Sequence, residues 1–152
     1  MRALVLALSL VAGAAAASPA ERPGWAVHET PFVYEELIDR LKAAAKANKM
    51  GVVTQAGPTG AARSRGIEIP GNRVIGVFNN VFAVRMLEAS EAAMIEAPIR
   101  FYVTEQPDGT ATLSYKTPSL VFSPYEDDGP DVATIAAELD AIFAALARDA
   151  PR

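Results

Sequence analysis

The only histidine, His28, is the first side chain in this sequence that could do chemistry. A serine-based triad needs a histidine beside its nucleophile, and zinc sites normally take cysteines or several histidines. The chain has one histidine and no cysteine, so residue types alone supply neither kind of site. One alternative stays open, because His28 with Met50, Met86 or Met94 would suit haem or copper. Since methionines at helical spacing are usually core residues, we predict a structural or surface role for His28, with no metal and no cofactor.

Polar and aromatic side chains share one face of a predicted hairpin. Residues Ile99–Thr104 and Thr110–Lys116 alternate between apolar and polar types on either side of the turn Gln106–Gly109. The apolar face predicts a core contact. The opposite face carries hydroxyl, aromatic and cationic groups: Arg100, Tyr102, Thr104, Thr110, Thr112 and Ser114. Water could simply cover this face, or it could form a homodimer interface or a cleft for a small organic ligand, with Arg100, Tyr102 and Thr112 as the polar groups.

Basic residues concentrate between Arg40 and Arg73. This segment has seven basic side chains and only one acidic side chain, Glu68. This concentration is typical of a solvated face, but around Arg63 and Arg65 it also predicts a patch that attracts anions. The patch lies in a segment rich in glycine and proline, from Gly57 to Pro70, and long loops of this kind in compact domains are often functional.

The overall charge argues against one class of partner. The sequence has 14 basic and 18 acidic side chains, a net charge of −4, which argues against non-specific binding to nucleic acid. Its carboxylates and tyrosines leave an enzyme based on those groups as a further alternative. A raised carboxyl pKa in a cleft would indicate such an enzyme.

The N-terminus has the pattern of a cleavable signal peptide. Arg2 precedes an apolar run from Ala3 to Val11, and an alanine-rich tract follows. We expect cleavage after Ala17 or Ala20, which leaves residues 21–152 as one domain, periplasmic or secreted and without a membrane span. Together these features predict an exported, non-enzymatic module that binds a small ligand or a second copy of itself.

Hydrophobic periodicity predicts an α+β fold with the order β-α-β-β-α-β-β-α. The helices are amphipathic, and about five strands form an antiparallel sheet with helices mainly on one face. We expect the first helix to open at Thr30-Pro31 and to end at a left-handed Gly51, with Val33 in its apolar stripe. A second helix, capped by Asn79, is predicted to turn Val81, Val84, Met86 and Leu87 inward.

The last predicted helix follows a loop rich in proline and acidic residues. It runs from a capping Asp131 to about Ala147. Its apolar positions recur with a 3.6-residue period: Val132, Ile135, Ala136, Leu139, Ile142, Phe143 and Leu146. Because these positions form one continuous stripe, we expect this helix to close the core.

Four short segments between Asn72 and Pro118 carry a family pattern. They are Val-Ile-Gly-Val-Phe-Asn-Asn at 74–80, Ala-Pro-Ile-Arg-Phe-Tyr-Val at 97–103, Asp-Gly at 108–109 and Tyr-Lys-Thr-Pro at 115–118. The pattern resembles the domain-of-unknown-function 302 family, from about Trp25 to Leu146. Asn79-Asn80 stands where that family commonly has Asn-Pro. The resemblance implies a compact α+β domain, often secreted and dimeric, without an established activity and without functional residues to transfer.

Overall fold

The sheet has five strands, all antiparallel to their neighbours. In the computed structural model, which describes Pro19 and residues 21–152, they are β1 (Trp25–Val33), β2 (Gly51–Ala56), β3 (Asn72–Phe78), β4 (Ile99–Glu105) and β5 (Thr110–Lys116). Their order across the sheet is β1-β5-β4-β3-β2. The first strand therefore pairs with the last, and the predicted hairpin β4–β5 lies at the centre. The predicted signal peptide falls almost entirely outside the described residues.

Five helices within residues 21–152 complete the fold. They are α1 (Tyr34–Ala47), α2 (Thr59–Arg63), α3 (Asn80–Ala89), α4 (Pro118–Phe122) and α5 (Val132–Asp149), with short 3-10 segments at Ala92–Glu96 and Ser123–Asp128. The predicted α+β class and the order of its main elements are confirmed. The sequence patterns missed α2, α4 and both 3-10 segments, because these are too short to show a helical period. No helix within the described residues is long and apolar enough to cross a membrane.

An aromatic cluster joins the sheet to the last helix. The rings of Phe101 on β4 and Phe143 on α5 stack with centroids 4.6 Å apart and planes 11° from parallel. Tyr115 on β5 packs against both, at 5.0 Å from Phe101 and 5.6 Å from Phe143. All three side chains are buried, as are Leu139 and Leu146 of the predicted stripe. The expectation that α5 closes the core is confirmed.

The start and end of the first helix differ from the prediction. Thr30 and Pro31 belong to β1, where the buried Thr30 Oγ1 donates to the Ala111 carbonyl oxygen at 2.7 Å. Pairing with β5 thus extends the strand through Val33, which is exposed rather than part of the helix stripe. At the other end Lys49, not Gly51, takes the left-handed conformation, with φ of 59°. Gly51 instead begins β2.

The predicted inward face of α3 and the predicted cap of α5 were partly wrong. Met86 is buried, but Val81, Val84 and Leu87 are exposed, because α3 turns Phe82 and Met86 toward the core instead. Asn79 caps α3 as predicted. Its Oδ1 accepts from the Val81 and Phe82 backbone nitrogens, and its Nδ2 donates to the Lys49 carbonyl oxygen at 2.9 Å. The side chain of Asp131 forms no capping hydrogen bond, since its backbone is itself helical.

The burial of α5 predicts a contrast between two leucine truncations. Leu139 is 4% exposed and Leu87 is 50% exposed. Because a buried leucine leaves a cavity, Leu139→Ala is expected to lower the free energy of unfolding by about 2–5 kcal/mol. Leu87→Ala is expected to change it by less than about 0.5 kcal/mol. Urea unfolding measures both, and equal losses would show that α5 does not close the core.

The two helix starts give a second pair of variants. Asn79→Ala removes a side-chain cap and is expected to lower the free energy of unfolding by about 1–2 kcal/mol. Asp131→Ala removes only a favourable charge near a helix N-terminus, worth about 0.5 kcal/mol on an exposed side chain. Thermal unfolding followed by circular dichroism compares them. A larger loss for Asp131→Ala would contradict the capping roles described above.

Candidate functional site

A cleft opens at the end of the sheet where β4 begins and β5 ends. The pairing of these two strands runs from Phe101–Tyr115 to Glu105–Ala111. Beyond it, Arg100 pairs only with Gly76 of β3, and Lys116 pairs only with Trp25 of β1. The backbone pairing of these two strands therefore ends at Phe101 and Tyr115 on this side. The cleft there has a cavity volume of about 500 Å³.

Aromatic and apolar side chains form most of the cleft wall. Apolar or aromatic residues make up seven of its eleven lining residues: Trp25, Val74, Ile99, Phe101, Tyr102, Tyr115 and Val121. The polar ones are Asn72, Glu96, Arg100 and Lys116. A concave, mostly apolar surface with a few polar groups is the usual composition of a small-molecule site.

Trp25 is held at the cleft by a turn and by a cation. Gly24 precedes it in the left-handed region, with φ of 73°, and its carbonyl oxygen accepts from the Thr117 backbone nitrogen at 2.8 Å. A Cβ at Gly24 would lie 2.8 Å from Leu120, so the turn needs glycine. The Lys116 Nζ lies 5.7 Å from the Trp25 ring centroid, which is within reach of a cation–π interaction.

Hydrogen bonds fix the other polar groups of the cleft. Asn72 Nδ2 donates to the Tyr102 hydroxyl, which holds the half-buried Tyr102 ring against β3. The Tyr125 hydroxyl donates to Glu96 Oε1 at 2.9 Å, and this hydrogen bond is the main cause that raises the pKa of Tyr125. The α4 wall is tied to α5 because Asp140 accepts from both the backbone nitrogen and the hydroxyl of Ser119.

The two cations of the cleft have no acidic partner. Arg100 and Lys116 are both exposed. Within the part of the chain that the structure describes, neither forms a salt bridge, whereas Arg40, Arg73 and Arg85 each pair with a glutamate. The one carboxylate of the cleft, Glu96, is engaged by Tyr125. The cleft therefore has a formal excess of one positive charge.

Thr112 lies apart from the other predicted ligand groups. Arg100 and Tyr102 meet in the cleft, but Thr112 is fully buried and its Oγ1 accepts from Gln106 Nε2 at 3.0 Å. It lines a second cleft of about 530 Å³, near the turn between β4 and β5, together with the acidic Glu29 and Asp108. One face of the sheet thus has a cationic end and an acidic end.

Arg63 and Arg65, the predicted anion patch, are not brought together in one cleft. Arg63 lines a third cleft of about 440 Å³, with Tyr34, Glu35 and Arg73. Arg73 there is paired with Glu35 at 3.3 Å. Arg65 is exposed, is not a lining residue of this cleft, and donates through Nε to the Ala61 carbonyl oxygen at 3.3 Å.

His28 lies on the core face of β1, against an aromatic ring. Its ring is nearly parallel to that of Tyr115, with centroids 6.0 Å apart, and its buried Nε2 has no hydrogen-bond partner among the described residues. Met50, Met86 and Met94 line one small apolar cavity, and His28 is not among the residues around it. The structure therefore does not bring the histidine and these methionines together in that cavity. No group of three or more His, Asp or Glu side chains converges within the described ranges.

Three carboxyl groups with shifted pKa values lie outside the cleft that Arg100 and Lys116 line. A hydrogen bond from Thr110 lowers the pKa of Asp108, one from Arg85 lowers the pKa of Glu138, and one from Asn48 lowers the pKa of Asp149. All three shifts are the reverse of the raised carboxyl pKa that the enzyme hypothesis predicts.

Sequence reasoning missed Trp25, Glu96, Lys116 and Val121 as lining residues. Trp25 and Lys116 are 91 positions apart in the sequence and meet only because β1 pairs with β5. The alternation within each strand predicts the face on which each residue lies. Only the order of the strands in the sheet shows that Trp25 and Lys116 are neighbours. Glu96 and Val121 lie on short helical segments that show no period.

The model of the family described as "Domain of unknown function DUF302" matches residues 27–146. The chain belongs to the DUF302 family. The resemblance drawn from the short segments around β3, β4 and β5 is confirmed. No curated protein matches the chain.

A solved DUF302 structure has the same fold. It is the crystal structure of an uncharacterized conserved DUF302 protein from Bacillus stearothermophilus, with a TM-score of 0.74 and 22% sequence identity. The similarity covers 85% of this chain and 98% of that one. At this level of identity the similarity establishes the fold of the DUF302 domain and no more.

Tyr115, which lines the cleft, gives the domain a sensitivity to alkaline pH. Burial is the main cause that raises its pKa above the ordinary value of about 10. The neutral phenol therefore stabilises the fold fully below about pH 10, and this stability is lost as pH rises through the folded pKa. We expect Tyr115→Phe to flatten the fall in melting temperature above about pH 10. If the melting temperatures of the variant and the wild type fall equally steeply above about pH 10, this account is contradicted. As a control, Tyr115 should cause no change of melting temperature with pH between neutral pH and about pH 9, because its phenol is protonated in both the folded and the unfolded state.

Proposed function

We propose that this protein is an exported, non-enzymatic module that binds a small organic ligand in the cleft between Arg100 and Lys116. The observation that carries the proposal is the cleft itself, about 500 Å³ in volume, mostly apolar and bordered by a few polar groups. Small-molecule sites commonly measure about 300–1,000 Å³ and have this composition. Export to the periplasm or the medium rests on the signal pattern of residues 1–20.

The side chains of the cleft favour binding over acyl-transfer chemistry. None of its lining residues is a serine, threonine, cysteine or histidine, so a nucleophile paired with a histidine base is not available there. Glu96 and the tyrosines could hold or orient a ligand. The contact between Glu96 and the Tyr125 hydroxyl is a hydrogen bond that fixes the carboxylate at one side of the cleft.

A homodimer through the same sheet face is the second candidate. The cationic end carries Arg100 and Lys116, and the other end carries Glu29 and Asp108. A two-fold axis that lies in the interface and runs across the strands would place the cationic end of one copy against the acidic end of the other. Such a dimer would cover the cleft, so native mass spectrometry that finds a dimer without bound ligand would favour it over the binding module.

The single tryptophan makes ligand binding directly measurable. Trp25 lines the cleft and is the only tryptophan in the chain, so its fluorescence reports occupancy of this site. We expect several members of a small-fragment library to change this fluorescence. Val74→Phe would fill the cleft and is expected to weaken their binding by about tenfold or more, because its ring occupies the ligand's volume.

The matched control is Val53→Phe. It makes the same change on β2 at a side chain that is 54% exposed and outside the cleft. Binding to this variant should stay within about twofold of wild type, since exposed substitutions disturb the fold little. A library without any responding fragment, or equal weakening by both variants, would contradict the proposed function.

A further inference from the structure

We propose that the ligand of the cleft is a small organic carboxylate with an aromatic or aliphatic body. This inference rests on the proposed function and adds the chemical class of the ligand. It follows from two cations that have no acidic partner among the described residues and that line a mostly apolar cleft. The acidic balance of the whole chain, −4, makes this local excess of positive charge an exception.

The strand geometry leaves Arg100 without a neutralising neighbour. Its cross-strand partner on β3 is Gly76, which has no side chain. A Cβ at Gly76 would lie 2.2 Å from Thr54 Oγ1 and 2.8 Å from Pro98 Cγ, so the space beside Arg100 on that strand is already taken by uncharged groups. A carboxyl side chain therefore cannot reach Arg100 from this position. The planar guanidinium keeps a fork of donors that matches a carboxylate.

Lys116 reaches the same cleft from the neighbouring strand. It is the last residue of β5, and its cross-strand partner is Trp25, again an uncharged residue. The two cations thus line one cleft, Arg100 from β4 and Lys116 from β5. An anionic group that enters this cleft would be attracted by both cations.

The wall beyond the cations suits an apolar body. Trp25 and Tyr102 offer aromatic surface, and Val74, Ile99 and Val121 offer aliphatic surface. The carboxylate of Glu96 is the one acidic group in the lining; one of its oxygens accepts from the Tyr125 hydroxyl, and its charge leaves the lining with a net excess of one positive charge. A ligand with a carboxylate at one end and an apolar body would therefore satisfy the cations and cover the wall without burying an unpaired charge.

Probes with the same apolar body and different head groups test whether the ligand is a carboxylate. We choose 4-phenylbutyrate and octanoate, each beside its primary amide and its primary amine, and follow Trp25 fluorescence. Each carboxylate is expected to bind about tenfold or more tightly than its amide, with the amine weakest, because only the carboxylate pairs with the cations. Added salt should weaken the binding of the carboxylates and leave the binding of the amides unchanged, since salt screens the attraction between exposed charges.

Two charge-neutralising variants locate the interaction. Arg100→Gln and Lys116→Gln should each weaken carboxylate binding about fivefold or more, while amide binding stays within about twofold. Arg65→Gln is the matched control, because Arg65 is an exposed arginine outside the cleft. It removes the same charge from the protein, and its affinity for both carboxylates and amides should stay within about twofold of wild type.

The outcomes separate the class of ligand from binding itself. Equal affinity for carboxylates and amides, or a preference for amines, would overturn the anionic ligand while the cleft still binds small molecules. Failure of every carboxylate, when other fragments do bind and Val74→Phe abolishes their binding, would also overturn it. Failure of all fragments would instead refute the proposed function.

Discussion

The stacking of Phe143 on Phe101 is the contact on which the rest of this structure depends. It fastens the longest helix to the central strand, and Tyr115 completes the cluster from the neighbouring strand. The chain has no cysteine, so no disulfide can replace this packing. Burial of large apolar side chains, at about 25 cal/mol per Å², must then supply most of the stability. The same cluster contributes Phe101 and Tyr115 to the cleft, so core and candidate site share residues.

The cleft follows from the place where strand pairing stops. Phe101 and Tyr115 form the last backbone pair of the central hairpin at that end. Arg100 and Lys116, one step further, pair with their outer partners and not with each other. Strand alternation puts both on the face away from Phe143, where the main helices do not pack. The positive charge of the site is therefore a consequence of register as much as of residue type.

Much of this fold could be predicted from local patterns, because alternation and helical periodicity are properties of neighbouring residues. The hairpin faces, the buried stripe of α5 and the Asn79 cap are of this kind. The start of α1 was wrong because Thr30 prefers a long-range pairing with Ala111 to a local capping role. The inward face of α3 was wrong because Val81 and Val84 are as apolar as the buried Phe82, so composition did not distinguish them. In the site, Arg100 and Tyr102 could be named, but Lys116 and Trp25 required the pairing of the first strand with the last.

The central claim is that small molecules occupy the cleft at this open strand end. Its most direct test is chemical-shift mapping by NMR on isotopically labelled protein titrated with 4-phenylbutyrate. The account predicts that the largest shifts fall on the Trp25 indole and on the backbone amides of Arg100 and Lys116. Saturable shifts centred on the acidic end at Asp108, or on the exposed side of α3 at Val84, would contradict it.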